Sequence, residues 1–93
     1  MTIEQLIAWI YAKGFTETTE TIMMAATEYR CFQREKDHVD QRFRFQKEIT
    51  DDKISIYFES KPMFSWRIDR IGILSDMSVD KNGILYGFIS RKT

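Results

Sequence analysis

The stretch QRFRFQKEITDDKISIYFES, Gln41 to Ser60, determines the fold class because its apolar side chains alternate with polar ones. The alternation is present in Phe43–Phe45, and it resumes in Ile54–Phe58 after the polar segment Thr50–Lys53. A period of two residues is typical of strands that bury one face. Because the polar segment consists of turn-forming residues, we predict an antiparallel hairpin.

The same alternation sends Arg42 and Arg44 to the other face of the first strand. We expect the phenylalanines and isoleucines to lie in the core and the two arginines to form an exposed row. Such a row would contact either a partner or only water, and most of the functional question depends on which.

The N-terminal residues predict a helix with a defined start and end. Thr2 and Gln5 have the capping-box spacing, and Ile3, Leu6, Ile7 and Ile10 recur at helical intervals. Lys13-Gly14 supplies the expected stop. A second helix is predicted from Thr16 through about Ala26, whereas Glu28–Lys36 fits either a helix or a strand.

The remainder of the chain predicts further strands and turns. Asp37–Asp40 is interpreted as a connection, and Ser60–Pro62 interrupts the strand pattern because proline cannot donate to a ladder. A strand from about Phe64 to Leu74 changes phase at Gly72, which suggests a bulge or a bend. Asp80–Gly83 predicts the turn of a second hairpin, whose strands are Met77–Val79 and Ile84–Tyr86.

These elements together predict an α+β fold, with one or two N-terminal helices packed on a mostly antiparallel sheet of about four strands. At 93 residues the chain is short for two cores, and no linker or repeat divides it, so we predict one domain, residues 1–93. Apolar residues on both faces of Ile84–Ile89 are explained by a central strand covered on two sides.

Composition excludes several classes of partner and compartment. The 14 basic and 14 acidic residues balance, which removes any general electrostatic attraction to nucleic acid or anionic lipid. Cys31 is the single cysteine, so no intrachain disulfide forms and a reducing compartment is expected. The apolar run Leu6–Tyr11 is too short for a signal peptide or a membrane span. We therefore expect a cytoplasmic protein without a membrane partner.

No group of residues predicts catalysis, a metal or a cofactor. Cys31 and His38 are the only nucleophile and base of the usual kind, and on one continuous helix they would lie about 10 Å apart. A zinc site usually needs more than one histidine or cysteine. The four glycines match no phosphate-binding loop. We therefore predict a protein that is not an enzyme.

Protein recognition has the best support in the sequence. Lys61–Arg67 concentrates Met, Phe, Trp and Arg beside a proline, and these residue types are enriched in interface hot spots. Phe64 and Trp66 fit the core of a strand somewhat better than an interface, with Met63 and Arg67 as the more exposed members. The candidate contact residues are Arg42, Arg44, Met63, Phe64, Trp66 and Arg67.

The sequence therefore predicts a non-enzymatic module that binds another protein, in the style of a small phage or mobile-element inhibitor or adaptor that acts by occlusion. A homodimer stays open. The alternative is a small nucleic-acid-binding or regulatory protein, because Tyr86–Ile89 matches part of an aromatic pattern of RNA-binding sheets. Its candidate residues are Arg42, Arg44, Arg67, Arg70, Tyr86, Phe88, Arg91 and Lys92.

Overall fold

A computed structural model describes residues 1–18, 27–48 and 53–89. Helix α1, Ile3–Ala12, begins with the predicted capping box: Gln5 N donates to Thr2 Oγ1 (3.1 Å), and Thr2 N donates to Gln5 Oε1 (2.8 Å). Its end is also as predicted. Gly14 adopts φ 89°, a conformation that favours glycine, and Phe15 N donates to Ile10 O (3.3 Å), which turns the Phe15 ring into the core.

Within the described residues the strands, numbered β1 to β8 in chain order, form a six-stranded antiparallel sheet in the order β1-β2-β3-β4-β5-β8 and a separate two-stranded sheet, β6-β7. The α+β class is confirmed, with a main sheet larger than the predicted four strands. The strand bounds are β1 Thr16–Glu17, β2 Thr27–Lys36, β3 Val39–Glu48, β4 Ile54–Lys61, β5 Arg67–Ile73, β6 Ser78–Val79, β7 Leu85–Tyr86 and β8 Phe88–Ile89. A 3-10 helix, Leu74–Asp76, links β5 to β6.

The prediction of a second helix is wrong at its first residues, Thr16 and Glu17. Thr16 and Glu17 form β1, which pairs with Gln33 and Phe32 of β2, and Thr27–Lys36 resolves the open alternative in favour of a strand. The threonine at position 16 loses side-chain freedom in a helix and accepts the extended backbone that pairing requires. The part of that prediction from Thr19 to Ala26 lies outside the described residues.

The predicted hairpin is confirmed as β3 and β4, with Phe43 opposite Phe58 and Phe45 opposite Ile56. The hairpin before it is tighter than predicted. Asp37 and His38 alone form the turn, with φ of 53° and 65°, while Val39 and Asp40 already belong to β3. Two successive positive φ angles match the type I′ turn, whose twist suits the flanking strands.

Gly72 has a different role from the predicted bulge. The register between β4 and β5 shifts at Phe58/Glu59, so the bulge lies near Asp69, three residues earlier. Gly72 is buried, and a Cβ built there would lie 3.3 Å from Gly87 O and 3.4 Å from Met77 Sδ. The missing side chain therefore lets the β6–β7 region pack closely on β5.

The second hairpin is confirmed, because Asp80 Oδ1 accepts from Asn82 N (2.8 Å) and Ile84 N (2.9 Å) and so closes the turn. The central strand predicted over Ile84–Ile89 is wrong. Gly87, at φ 108°, divides it into β7 and β8, and a Cβ there would overlap the Asp76 carbonyl. β8 then pairs with β5 at the edge of the main sheet.

Helix α1 packs on one face of the sheet, which we call the helix-covered face. Paired residues of antiparallel strands share a face, so Phe32, Phe43, Phe45 and Ile56 lie together there. They form one cluster with Leu6 and Ile10 of α1 and with the buried residues that follow β5, which are Leu74, Met77 and Leu85. The other side of the sheet, which we call the opposite face, carries Arg42, Arg44, Glu59 and Tyr57.

Candidate functional site

The loop between β4 and β5 presents the two most exposed large apolar side chains in the described chain. Met63 is 76% exposed and Phe64 is 89% exposed, and we call this pair the Met63–Phe64 tip. The exposure of Phe64 rules out the strand-core alternative, which the sequence favoured somewhat over an interface at this position. The backbone bends from Pro62 to Ser65 before β5 begins at Arg67, so the alternation of β5 does not extend back to Phe64.

Trp66 lies at the base of the loop and is half-buried. The guanidinium carbon of Arg42 lies 4.0 Å from the centroid of the Trp66 ring, and Lys61 Nζ lies 6.0 Å from the same ring. Both separations place a cation over an aromatic face, which attracts it. Trp66 therefore joins the loop to the opposite face of the sheet.

Arg42 and Arg44 do not form the exposed row that alternation predicts. Arg42 Nε donates to Glu59 Oε1 at 2.8 Å, and Arg44 Nε donates to the same oxygen at 3.0 Å. Arg42 is 8% exposed and Glu59 is 4% exposed. The prediction fails because a carboxylate stands opposite Arg42 in the ladder and aromatic rings cover the guanidinium groups, with Arg44 4.4 Å from the Tyr57 centroid.

Arg67 is exposed, as predicted, and so is Met63. Arg67 Nε donates to Asp69 Oδ1 at 3.0 Å, at the residue that forms the β5 bulge. Its side chain keeps 68% of its surface in solvent. Arg67 therefore stands beside the loop as a cation with one acidic neighbour.

The residues of the nucleic-acid alternative do not form one surface. Arg70 lies opposite Phe58 and so belongs to the helix-covered face, whereas Arg42 and Arg44 lie on the opposite face. Tyr86 is in the two-stranded sheet, while Phe88 pairs within the main sheet. Arg91 and Lys92 lie outside the described residues.

The thiol and imidazole remain far apart. Cys31 is buried in β2, and His38 is exposed in the turn that follows, about 20 Å away at the rise of a strand. Burial raises the pKa of the Cys31 thiol, which disfavours the nucleophilic thiolate. Among the residues that the structure describes, no three His, Cys, Asp or Glu side chains are grouped to hold a metal ion.

Glu59 is the important residue that the sequence analysis does not select. Its signal is its face: alternation places Glu59 on the same side of the hairpin as Arg42 and Arg44, and the observed register puts it directly opposite Arg42. A charge directly across a ladder from an opposite charge is a stabilising pair. Alternation alone identifies the face of each side chain and says nothing of its partner.

Comparison with known proteins adds no family, because no family model, curated protein or solved structure matches the chain. In ranges 1–18, 27–48 and 53–89, no helix has the length and apolar character needed to cross a membrane. The functional argument therefore depends on the described side chains alone.

Proposed function

We propose that this protein is a non-enzymatic module that binds another protein by placing the Met63–Phe64 tip in an apolar pocket of that partner. The observation that supports this proposal is the exposure of two adjacent large apolar side chains at the end of a loop. Single exposed apolar residues are common on protein surfaces. An adjacent Met and Phe at a loop tip form a compact apolar contact of the kind that interfaces bury.

The base of the loop supports this proposal because two successive contacts fix it in place. Trp66 stacks on Arg42, and Arg42 is held in turn by buried Glu59. A loop whose base is fixed loses less conformational entropy on binding than a loose one. Arg42 then positions the loop through Trp66, and Arg44 shares the carboxylate that holds Arg42.

The surroundings of the tip fit the polar rim of an interface. Arg67 and Lys61 flank the loop, and arginine is enriched in such contacts. Occlusion of a partner's functional surface would make the protein an inhibitor, and recruitment of a second protein would make it an adaptor. The nucleic-acid alternative has weaker support, because Glu59 accepts from both Arg42 and Arg44.

The test is quantitative affinity purification from the source cell with three tagged proteins: the wild type, Met63→Ser/Phe64→Ser, and Ile89→Ser. Ile89 is the matched control because it is also apolar and 59% exposed, on the edge strand β8. We expect one protein to co-purify with the wild type and with Ile89→Ser and to be lost with the tip variant. With that protein purified, the tip variant should weaken binding about thirtyfold or more, as for a central hot spot.

The unfolding free energy of the tip variant should stay within about 0.5 kcal/mol of the wild type, because exposed side chains contribute little to stability. Equal co-purification with all three proteins would contradict the proposal. Sedimentation that shows a dimer disrupted by the tip substitutions would identify a second copy as the partner. Retention on an oligonucleotide column that collapses steeply with salt would support the nucleic-acid alternative instead.

A further inference from the structure

A cleft of about 340 Å³ opens on the helix-covered face, between the C-terminal end of α1 and the β6–β7 hairpin. Five aromatic side chains line its walls; they are Trp9, Phe15, Phe43, Phe58 and Phe88. Trp9 Nε1 donates to Gly83 O at 2.8 Å and so fixes the hairpin to the helix. The volume falls at the small end of the range for ligand pockets, roughly 300–1,000 Å³.

The charged residues of the cleft are all cations. Lys13, Arg34 and Arg70 line it, and no aspartate or glutamate does. Within the part of the chain that the structure describes, none of these three has a carboxylate within 4.0 Å. Elsewhere the pattern differs, because Arg30, Arg42 and Arg67 each donate to a neighbouring acid.

The three cations have separate positions around the aromatic walls. Arg34 forms part of a wall: its guanidinium lies 4.4 Å from the Phe15 centroid, and it donates to Gln41 Oε1 (2.9 Å) and to the Lys13 carbonyl. Lys13 and Arg70 are exposed, over Trp9 and Phe88 respectively. Their charged groups therefore stand at the mouth, in contact with solvent.

We propose that this cleft binds a small molecule with a flat apolar body and one anionic group, of the aromatic carboxylate or sulfonate class. The apolar body would stack between the rings, and the anion would lie at the mouth between Lys13 and Arg70. The argument is one of charge and shape complementarity, since the walls present aromatic rings while the charged side chains that line the cleft are all cations. The cleft shares no residue with the Met63–Phe64 tip.

The test compares two fluorescent probes of similar shape, the anion anilinonaphthalenesulfonate and the neutral phenylnaphthylamine. The variant Lys13→Gln/Arg70→Gln removes the charge at the mouth and keeps the walls. Lys47→Gln is the control, because Lys47 is exposed on β3 and does not line the cleft. We expect the double variant to raise the Kd of the anionic probe about fivefold or more and to leave the neutral probe within twofold, as loss of exposed ion pairs would do.

Location is measured with amide and indole chemical shifts of the full chain. The anionic probe should move the signals of the Trp9 indole, Gly83 and Phe88 and leave those of Met63 and Phe64 in place. Equal Kd values for both probes, or an unchanged Kd in the double variant, would overturn the proposal. Shifts confined to the Met63–Phe64 tip would overturn it as well, and so would sedimentation showing that a second copy of the chain fills the cleft.

Discussion

Both faces of the main sheet carry buried side chains, but different interactions hold them. On the helix-covered face, Phe32, Phe43 and Phe45 pack as rings, with centroids 5.4 Å apart between Phe32 and Phe45. On the opposite face, Arg42 and Arg44 share one carboxylate oxygen of Glu59. The helix-covered face depends on removal of apolar surface from water, and the opposite face depends on attraction between opposite charges that are largely removed from solvent.

The comparison shows that a polar row in an alternating strand is not necessarily an exposed row. Alternation assigns side chains to faces, whereas burial depends on what pairs with them across the ladder. A row of arginines opposite a glutamate and tyrosine becomes a buried cluster. In this arrangement Met63 and Phe64 of the neighbouring loop are exposed to solvent, whereas Arg42 is buried.

The largest expected effect is on the helix-covered face. Phe32→Ala should lower the free energy of unfolding by about 3–5 kcal/mol, because Phe32 is fully buried and removal of its ring leaves a cavity in the core. Urea denaturation followed by circular dichroism measures the loss. Phe64→Ala is the control, since the same side chain at the exposed tip should change stability by less than about 0.5 kcal/mol.

A small domain has only about 5–15 kcal/mol of stability, so Phe32→Leu offers a milder change if Phe32→Ala does not fold. Its loss should be about 1 kcal/mol or somewhat more, since a smaller apolar side chain remains. Equal losses at positions 32 and 64 would show that the helix-covered face is not the main source of stability.

On the opposite face, a substitution that removes a charge but keeps the volume of the side chain should lower the free energy of unfolding. Glu59→Gln keeps the shape of the side chain and leaves the buried Arg42 guanidinium without the carboxylate opposite it, so we expect a loss of about 3 kcal/mol. Glu35→Gln, an exposed position on β2, is the control and should have little effect. A loss below about 1 kcal/mol for Glu59→Gln would mean that solvent satisfies the arginines.

The smallest expected effect on the free energy of unfolding comes from an exposed ion pair, Arg30 with Glu17. It has the same residue types as the buried Arg42–Glu59 pair. Arg30 Nε donates to Glu17 Oε1 at 2.9 Å, and this hydrogen bond is the main reason that the pKa of Glu17 is lowered. The pair is exposed and screened, so Glu17→Gln should cost no more than about 0.5 kcal/mol at neutral pH. The contrast with Glu59→Gln isolates the effect of burial.

The contribution of the Glu17–Arg30 pair to stability should decrease as the pH falls. A carboxyl whose folded pKa is lowered stabilises the fold above its unfolded pKa, about 4.3, and loses that contribution as pH falls through the folded value. Thermal unfolding of the wild type and Glu17→Gln should therefore converge as the pH falls below the lowered pKa of Glu17. A difference that persists in acid would show that Glu17 acts through something other than its charge.

Much of the local structure follows from short-range signals. The capping box at Thr2 and Gln5, the stop at Gly14 and the turn at Asp80 are visible in the sequence because each depends on residues within a few positions. The predicted helix at Thr16 fails for the complementary reason. Its strand forms by pairing with Gln33 and Phe32, and no local propensity encodes such a distant partner.

The candidate site was predictable only in part. Lys61–Arg67 stands out by composition, and the exposure of Met63 and Arg67 agrees with expectation. The exposure of Phe64 required knowing where β5 begins, because a loop residue and a strand residue have the same composition. The aromatic cleft combines side chains from α1, β3, β4 and β8, and no sequence period brings these together.

The sequence by itself determined the first helix, the two predicted hairpins and the division of β3 into an apolar and a charged set. These features depend on side-chain spacing and on turns, which are local properties of the chain. Only the tertiary structure decided that Glu59 holds Arg42 and Arg44, that the tip is exposed, and that cations gather around an aromatic cleft. Those outcomes arise from contacts between distant segments, whose energies appear only once the strands have paired and the helix has packed.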